Sequence, residues 1–259
     1  MNCDIFIPVR LKSARLPKKA LKKIDGRPVI LLLIDRLLLA KKIRNIIVCT
    51  TADESDDELV KTLENENIIV FRGSEKDILV RFLDAARKHH TEFIVSVDGD
   101  DIYSDPNFVD RIVIEFEKTN ADYIQVSGVP IGFTPFGIKT TALQRVCQIK
   151  RTDNTETGYT RFFTDTKIFN IKNVIFKSKI GFPINLRLSL DYEEDFNLSK
   201  EIFKALGNDF HIEDVLRLLN EKPELLEITK LLTDRWEKHW NTNLADLSVT
   251  DNTVGVKKS

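Results

Sequence analysis

The first half of the chain alternates short apolar runs with longer amphipathic runs, and no other feature of the sequence constrains the fold as strongly. The apolar runs predict strands and the amphipathic runs predict helices: strands at 4–9, 45–50, 67–71 and 93–97, and helices at 28–40, 53–63, 77–89 and 106–118. Strands that alternate with helices favour a parallel sheet, because a helical crossover brings the chain back to the same end of the sheet. The sequence therefore predicts an α/β fold built on a mostly parallel, doubly wound sheet.

The pattern is less regular after residue 120. It predicts short strands at 123–126, 174–177 and 186–190, and helices at 141–149, 157–163, 193–206, 212–219 and 223–231. We therefore predict a single domain over residues 1–240, with an inserted α+β lobe at about 130–185 and a small helical cap at about 207–235. The polar residues 241–259 lack periodicity and predict a flexible tail.

Composition and charge exclude several classes of protein. The chain has 39 basic and 40 acidic side chains, a net charge of −1, so it has no general field that would bind nucleic acid or an anionic membrane. Its longest apolar run, 29–34, is far shorter than the ~20 residues of a spanning helix, and its first residues do not resemble a signal peptide. The three cysteines, Cys3, Cys49 and Cys147, predict reduced and mostly buried thiols in a cytoplasmic protein.

A basic segment follows the first predicted strand, at the place where loops of a parallel sheet face the ligand crevice. It contains no acidic residue and seven basic ones, Arg10, Lys12, Arg15, Lys18, Lys19, Lys22 and Lys23. Guanidinium and ammonium groups bind phosphate oxygens, so this position favours a nucleoside triphosphate site over a merely solvated run of charges. The segment matches neither the P-loop nor the glycine pattern of dinucleotide-binding folds.

Carboxylates follow two other predicted strands. Asp98, Asp100 and Asp101 come within four residues at the end of the strand at 93–97, and Asp191 follows the strand at 186–190. Such oxygens suit Mg²⁺, which usually keeps one or two protein carboxylates together with substrate phosphates. Both groups also have a structural interpretation, since acidic residues stabilise turns and helix N-termini. Asp191, taken alone, is better explained as the cap of the next helix.

Four segments, in order along the chain, resemble the bacterial sugar-acid cytidylyltransferases. Residues 7–19 (IPVRLKSARLPKK) are similar to the opening I-P-A-R-x-x-S-x-R-L-P-x-K of the CMP-KDO and CMP-sialic acid synthetases. Residues 70–79, 97–101 and 186–195 are similar to the branch named for spore coat polysaccharide biosynthesis. The resemblance extends over roughly residues 3–230. It implies a nucleotide-diphospho-sugar transferase fold of the GT-A-like type.

The resemblance implies transfer of CMP from CTP to a sugar-like acceptor with release of pyrophosphate, for surface polysaccharide or glycoconjugate biosynthesis. It also implies Mg²⁺ as cofactor and a homodimer as the usual assembly. Carried over to this sequence, the resemblance implies catalytic roles for Arg10, Arg15, Lys19 and Asp100. It also implies that Asp100 and Asp191 are the metal ligands. The implied nucleotide-binding residues are Arg10, Ser13, Arg15, Lys19, Arg72, Gly73, Ser74, Arg81 and Asp98.

The sequence departs from the family pattern in two places. Asp98 and Ile102 stand where the metal-binding stretch often has Gln and Pro. Residues 135–139 and 158–161 stand where the acceptor region usually has a Glu and an E-H-V-T-like stretch. Basic residues in place of acidic ones predict a small anionic acceptor, sugar-like or phosphorylated or phosphonate. The predicted acceptor-binding residues are Lys139, Tyr159 and Arg161.

Two other functions stay open from the sequence alone. Asp98-Gly99-Asp100 is also the D-x-D pattern of metal-dependent GT-A glycosyltransferases, which use a nucleotide-sugar. The unusual acceptor region is equally compatible with a catalytically silent nucleotide-binding protein. No histidine stands in a motif that predicts a general base, and His239 has no motif around it.

Overall fold

A seven-stranded sheet forms the centre of the molecule, in a computed structural model that describes residues 1–183 and 186–250. In chain order the strands of the described residues are β1 (Cys3–Pro8), β2 (Lys23–Ile24), β3 (Arg27–Pro28), β4 (Asn45–Thr51), β5 (Ile69–Gly73), β6 (Phe93–Ser96), β7 (Tyr123–Ser127), β8 (Phe136–Lys139) and β9 (Ile171–Ile175). The large sheet has the order β5-β4-β1-β6-β8-β7-β9, while β2 and β3 form a separate antiparallel pair. β1, which begins the sequence pattern, thus lies inside the sheet rather than at its edge.

The strand directions confirm the predicted α/β fold with a mostly parallel sheet. β1 pairs in parallel with both β4 and β6, β4 pairs in parallel with β5, and β7 pairs in parallel with β9. β8 alone among these strands runs antiparallel to its two neighbours, β6 and β7. The sequence did not predict β8, because Pro135 and Gly137 are residues that strands disfavour.

Helices cover both faces of the sheet, as a doubly wound fold requires. They are α1 (Val29–Leu37), α2 (Asp57–Glu64), α3 (Ile78–His89), α4 (Pro106–Thr119), α5 (Thr140–Ile149), α6 (Arg161–Thr164), α7 (Glu193–Leu206), α8 (Ile212–Glu221), α9 (Glu224–Glu227) and α10 (Leu232–Asn243). Alternate side chains of β1 point to opposite faces of the sheet. Ile5 and Ile7 pack with α1, α2 and α4 on one face, and Phe6 packs with α3 and α5 on the other. The predicted helices at 77–89, 106–118 and 193–206 are confirmed to within one residue.

The second half contributes to the sheet and adds a third apolar cluster. The predicted lobe at 130–185 contains β8 and β9, so part of it belongs to the main sheet. The predicted strand at 186–190 is not a strand, because its only ladder contact is an isolated bridge between Arg187 and Ile131. Helices α7, α8 and α9 pack around Tyr103 and Phe133 in this cluster, to which α1 and α4 also contribute.

The chain continues in contact with the body beyond the predicted start of the tail at residue 241. Helix α10 ends at Asn243, and the segment after it donates a hydrogen bond from the Ala245 N–H to the carbonyl of Thr157, 2.9 Å. Ser248 accepts one from the Arg151 N–H at 2.9 Å. Any tail therefore begins later than predicted, and residues 251–259 of that prediction lie outside the described residues.

Candidate active site

A cavity of about 700 Å³ opens where β1 and β6 end and where β8 begins. Parallel strands present their carboxyl ends at one edge of a sheet, so the loops after β1 and β6 meet there. The loop after β1 supplies the basic residues of the cavity wall, and the loop after β6 supplies residues 98–101. The rest of the lining comes from segments at 131–136 and 156–160, residues of α3 and β7, Ser189, Asp191 and one face of α10.

Lys19 joins the basic loop to both groups of carboxylates. Its ammonium lies 2.6 Å from Oδ2 of Asp100 and 3.2 Å from Oδ1 of Asp191, and it also donates to the Leu190 carbonyl at 2.9 Å. Burial disfavours the charged form of Lys19, but Asp100 and Asp191 outweigh that effect and raise its pKa above the ordinary value. Two aspartates that are distant in sequence thus face one cation.

Asp191 receives a second cation from the same loop. Nη2 of Arg15 lies 2.6 Å from its Oδ1, and the Arg15 guanidinium lies over the Tyr192 ring, 5.6 Å from the centroid. The Asp191 side chain is almost fully buried, which opposes ionisation, yet Lys19, Arg15 and Arg187 together hold its pKa below the usual range. Asp191 is therefore a buried, ionised carboxylate.

The N-cap residue of α7 is Tyr192, and the carboxylate that completes its capping box is that of Asp195 rather than Asp191. The Asp195 carboxylate accepts the backbone N–H groups of Asp191 and Tyr192, both at 2.9 Å, and it binds Arg187 at 2.6 Å. The backbone that enters the helix is thereby held without the Asp191 side chain. The structural interpretation of Asp191 as a helix cap is wrong, and its side chain faces the cavity instead.

The loop after β6 crowds three carboxylates together. Asp98 accepts a hydrogen bond from the Tyr159 hydroxyl at 2.9 Å, and burial together with the neighbouring Asp100 raises the pKa of Asp98 to about 7. Burial, Asp100 and Asp98 likewise raise the pKa of Asp101 well above its usual value. Gly99 makes this close approach to β1 possible, because a Cβ there would lie 2.8 Å from Cβ of Val9.

Arg10 and Arg81 meet at an acidic residue that the sequence analysis did not single out. The Glu156 carboxylate lies 3.6 Å from Nε of Arg10 and forms a close ion pair with the fully buried Arg81. Arg81 also donates to the carbonyls of Ser74, at 2.8 Å, and of Glu75, at 3.2 Å. Glu156 lies in a polar stretch without a motif, so no sequence signal distinguishes it from a surface acid.

The predicted nucleotide-binding residues fall into two groups. Arg10, Ser13, Arg15, Lys19, Arg81 and Asp98 line the cavity. Arg72, Gly73 and Ser74 do not line it. Arg72 instead donates to the carbonyls of Thr51 and Asp53 at 3.0 and 2.8 Å, and Gly73 is packed against the Phe71 ring and the Arg81 side chain. The segment at 72–74 therefore contacts the Arg81 side chain on the side away from the cavity, through Gly73 and the Ser74 carbonyl.

Only one of the three predicted acceptor-binding residues reaches the cavity. Tyr159 does so, and its hydroxyl lies between Asp98 and Ser96. Lys139 does not, because β8 is antiparallel: Phe136 pairs with Ser96 at the cavity end of β6, whereas Lys139 pairs with Phe93 at the opposite end. Arg161 is not a lining residue either and forms an ion pair with Asp165 along α6 at 2.9 Å. The predictions for Lys139 and Arg161 are corrected accordingly.

Helix α10 contributes cavity residues that the sequence analysis missed. Trp236, His239, Trp240 and Asn243 line the cavity, and the two indole rings stack at a centroid distance of 5.4 Å. Their spacing of three, four and seven residues from Trp236 places all four side chains on one helix face. That spacing is a signal present in the sequence, but nothing local indicates what the face packs against.

Asp100 and Asp191 are the residues whose arrangement fits a divalent metal ion. They are hard oxygen donors that already converge on one cation, the Lys19 ammonium. Across residues 1–183 and 186–250, no three His, Cys, Asp or Glu side chains are grouped so that they could hold a metal by themselves. The pair therefore fits an ion such as Mg²⁺ that takes two carboxylates and completes its shell with phosphate oxygens. Within the same ranges, no helix has the length and apolar character needed to cross a bilayer.

Comparisons with known proteins identify the family and the fold. Residues 5–174 match the model of a family described as cytidylyltransferase. The spore coat polysaccharide biosynthesis protein SpsF of Bacillus subtilis is 23% identical over 233 residues, which are 86% of this chain and 97% of that protein. A cytidylyltransferase of Leptospira borgpetersenii has the same fold, with a TM-score of 0.79 and 23% identity over 87% of this chain and 96% of that one. The CMP:2-keto-3-deoxy-manno-octonic acid synthetase complexed with CTP has a TM-score of 0.63 at 14% identity, over 79% of this chain and 99% of that one.

Proposed function

The chain belongs to the cytidylyltransferase family, a family of CTP-dependent nucleotidyltransferases, and from that premise we propose which reaction its cavity performs. CMP is transferred from CTP to a small anionic acceptor, sugar-like or phosphorylated or phosphonate, and pyrophosphate is released. The observation that carries this proposal is the position of Lys19 between Asp100 and Asp191, beside Arg15. A cationic loop and two carboxylates at one point are what transfer at a phosphate centre needs.

The basic residues of the loop after β1 bind the triphosphate. Arg15 and Lys19 now pair with Asp191, and Arg10 lies near Glu156, so triphosphate oxygens would replace carboxylates as their partners. The acceptor oxygen forms a bond to the α-phosphorus while the bond from that phosphorus to the β-phosphate oxygen breaks. The same cations neutralise the negative charge that develops on the departing pyrophosphate.

Asp100 and Asp191 hold Mg²⁺ in this proposal. The ion supplies charge neutralisation on the phosphate oxygens when it is bound. The chain's own part is to orient both carboxylates and to keep that of Asp191 ionised. For Asp191, Arg15 and Arg187 do so through their charge, and the Asp195 cap fixes the backbone on which it lies.

We place this reaction in the cytoplasm, in a homodimer, and in the synthesis of a surface polysaccharide or glycoconjugate. The three cysteines are free, and Cys3 and Cys49 are buried, which is typical of proteins in a reducing compartment. The name of SpsF, which concerns spore coat polysaccharide, supports the polysaccharide role. Light scattering after size exclusion measures the assembly directly, and a monomeric mass at working concentration would contradict the dimer.

Pyrophosphate release from CTP tests the proposed reaction. The wild-type chain, Asp100→Ala and the surface variant Asp84→Asn are assayed with sugar acids, phosphorylated sugars and phosphonates as acceptors. We expect release that depends on CTP and on one acceptor class, is unchanged in Asp84→Asn, and falls on the order of 10²- to 10³-fold in Asp100→Ala. Undiminished turnover in Asp100→Ala refutes the role of that carboxylate. Tighter binding of a nucleotide-sugar than of CTP would instead point to a glycosyltransferase, which the comparisons do not favour.

A further inference from the structure

Helix α10 lies across the cavity although it is outside the part of the chain that matches the family model, residues 5–174. Four of its side chains line the cavity: Trp236, His239, Trp240 and Asn243. Elsewhere along the helix, Leu232 is buried in the protein and the Arg235 guanidinium lies over the Tyr192 ring, 4.3 Å from the centroid. The helix thus presents one defined face to the site.

Both ends of α10 are attached to opposite walls of the cavity. Near its N-terminus, Arg235 packs on Tyr192, the residue that follows Asp191. After its C-terminus, the Ala245 N–H donates to the Thr157 carbonyl at 2.9 Å. Leu244 and Trp240 approach Gly158 so closely that a Cβ at Gly158 would lie 2.7 Å from Cδ2 of Leu244 and 3.9 Å from Cζ2 of Trp240. The helix therefore spans from the Asp191 wall to the Tyr159 wall.

The two tryptophans of α10 do not serve the apolar core. Both side chains are half-buried, and neither belongs to the three apolar clusters found in the described part of the chain. In that same part, neither indole N–H donates a hydrogen bond to the protein. Large aromatic side chains held at a cavity wall with an unused donor are typical of ligand-binding surfaces.

The position of α10 assigns its face to the acceptor rather than to the nucleotide. The triphosphate-binding residues proposed above lie in the loop after β1, and Glu156 joins Arg10 of that loop to Arg81. The α10 side chains line the same cavity as Asp191 and Tyr159, so an acceptor that reaches a nucleotide bound beside Asp191 would contact them. His239 is held near Arg15, and burial together with Arg15 lowers its pKa, so its imidazole is neutral at pH 7 and able to hydrogen-bond.

We propose that Trp236, His239 and Trp240 form the acceptor subsite, and that this subsite takes a sugar ring, with its C–H face against an indole and a hydroxyl bonded to His239. The positive edges of ring C–H groups complement the negative face of an indole, whereas a linear phosphonate offers no such face. The cations of the site then bind the anionic group of that sugar. This inference rests on the proposed cytidylyl transfer and adds the chemical class of the acceptor.

Tryptophan emission provides a readout that does not require turnover, because Trp236 and Trp240 are the two tryptophans of the whole chain. The full-length protein is saturated with a non-hydrolysable CTP analogue and titrated with 3-deoxy-manno-octulosonate, mannose 6-phosphate and ethylphosphonate. We expect a saturable change in emission with at least one of the two sugars and none with ethylphosphonate. Absence of a saturable change with both sugars overturns the proposal, and so does a change with ethylphosphonate alone.

Variants of α10 then separate this subsite from the nucleotide site. Trp240→Leu and His239→Gln are compared with Glu237→Gln, which changes an exposed side chain on the same helix. We expect the KM for the sugar to rise about tenfold in the first two variants, with CTP affinity by calorimetry and the melting temperature unchanged. Equal KM values for the sugar in all three variants overturn the proposed subsite. Absence of CTP binding by the wild-type chain overturns the proposed function itself.

Discussion

The ammonium of Lys19 lies 2.6 Å from Oδ2 of Asp100, although 81 residues separate the two in sequence. The two residues follow β1 and β6, which are neighbours in the sheet and run in the same direction. Sheet topology therefore brings the basic loop and the acidic loop together. This contact, with Asp191 as its third member, is the basis of the first two predictions.

Removing the Lys19 charge leaves two carboxylates facing each other. We expect Lys19→Met to lose on the order of 3 kcal/mol of unfolding free energy, because breaking a buried ion pair leaves an uncompensated charge. We also expect pyrophosphate release to fall on the order of 10²-fold or more. Urea denaturation and the release assay measure the two effects. Lys18→Met is the matched control, since Lys18 is exposed and, among the residues the structure describes, forms its ion pair with the exposed Glu58. Equal losses in both variants would contradict the role of Lys19.

Metal removal tests Asp191. We expect EDTA to abolish pyrophosphate release and added Mg²⁺ to restore it, because two carboxylates without a third protein ligand bind the ion weakly in the absence of phosphate. In Asp191→Asn, the Mg²⁺ concentration for half-maximal rate should rise about tenfold or more. Glu193→Gln, which changes an exposed acid two residues away, should keep the wild-type Mg²⁺ dependence. A rate that is insensitive to EDTA would contradict the metal site.

Asp98 makes stability depend on pH in a direction that follows from its pKa. The folded protein raises this pKa from 3.8 to about 7, so between these values the folded state binds more protons than the unfolded state and loses stability as the pH rises. Asp98→Asn removes that loss. In EDTA we expect the variant to match the wild type near pH 3 and to be more stable by on the order of 4 kcal/mol at pH 8. Glu64→Gln, which changes an exposed side chain, controls for the loss of one negative charge. A stability gain for Asp98→Asn that is the same at both pH values would contradict this account.

The close packing of β8 on β6 depends on Gly137. A Cβ at this position would lie 2.3 Å from Cζ of Phe93 and 2.8 Å from Cγ2 of Ile112. We expect Gly137→Ala to lower the unfolding free energy by about 1–3 kcal/mol, as overpacking of a core does. Gly181→Ala is the matched control, because nothing lies within 4 Å of a Cβ there. Equal melting temperatures for the two variants would contradict the placement of β8.

Local sequence patterns predicted the elements that depend on their own periodicity. Strands β1, β4, β5 and β6 and helices α3, α4 and α7 lie close to their predicted positions. The charged loops that follow these strands were also found, because the end of a parallel strand is a position the pattern itself reveals. Of the residues assigned to the site, those in the loops after β1 and β6 therefore line the cavity.

The wrong prediction for Lys139 has a different cause. Lys139 was assigned to the site because it is a basic residue in the segment where the family's acceptor region usually has a Glu, but the direction of β8 puts it at the far end of the sheet. A strand's direction depends on which partner it pairs with, and that partner, β6, lies some 40 residues away in the chain. Asp191 and Asp195 are both aspartates near the start of α7, so the sequence does not show which of them contributes to the cap. The contacts of Asp195 with the buried Arg187 and with the Tyr192 N–H decide this in the folded protein.

The amino-acid sequence by itself determined the alternation of strands and helices and the charges that follow the first and fourth strands of that pattern. These depend on residues that are near one another in the chain. Only the tertiary structure decided that Lys19 lies between Asp100 and Asp191, that Glu156 joins Arg10 to Arg81, and that α10 lies over the cavity. Each of these contacts joins segments distant in sequence, so it depends on packing and strand direction, which local periodicity does not encode.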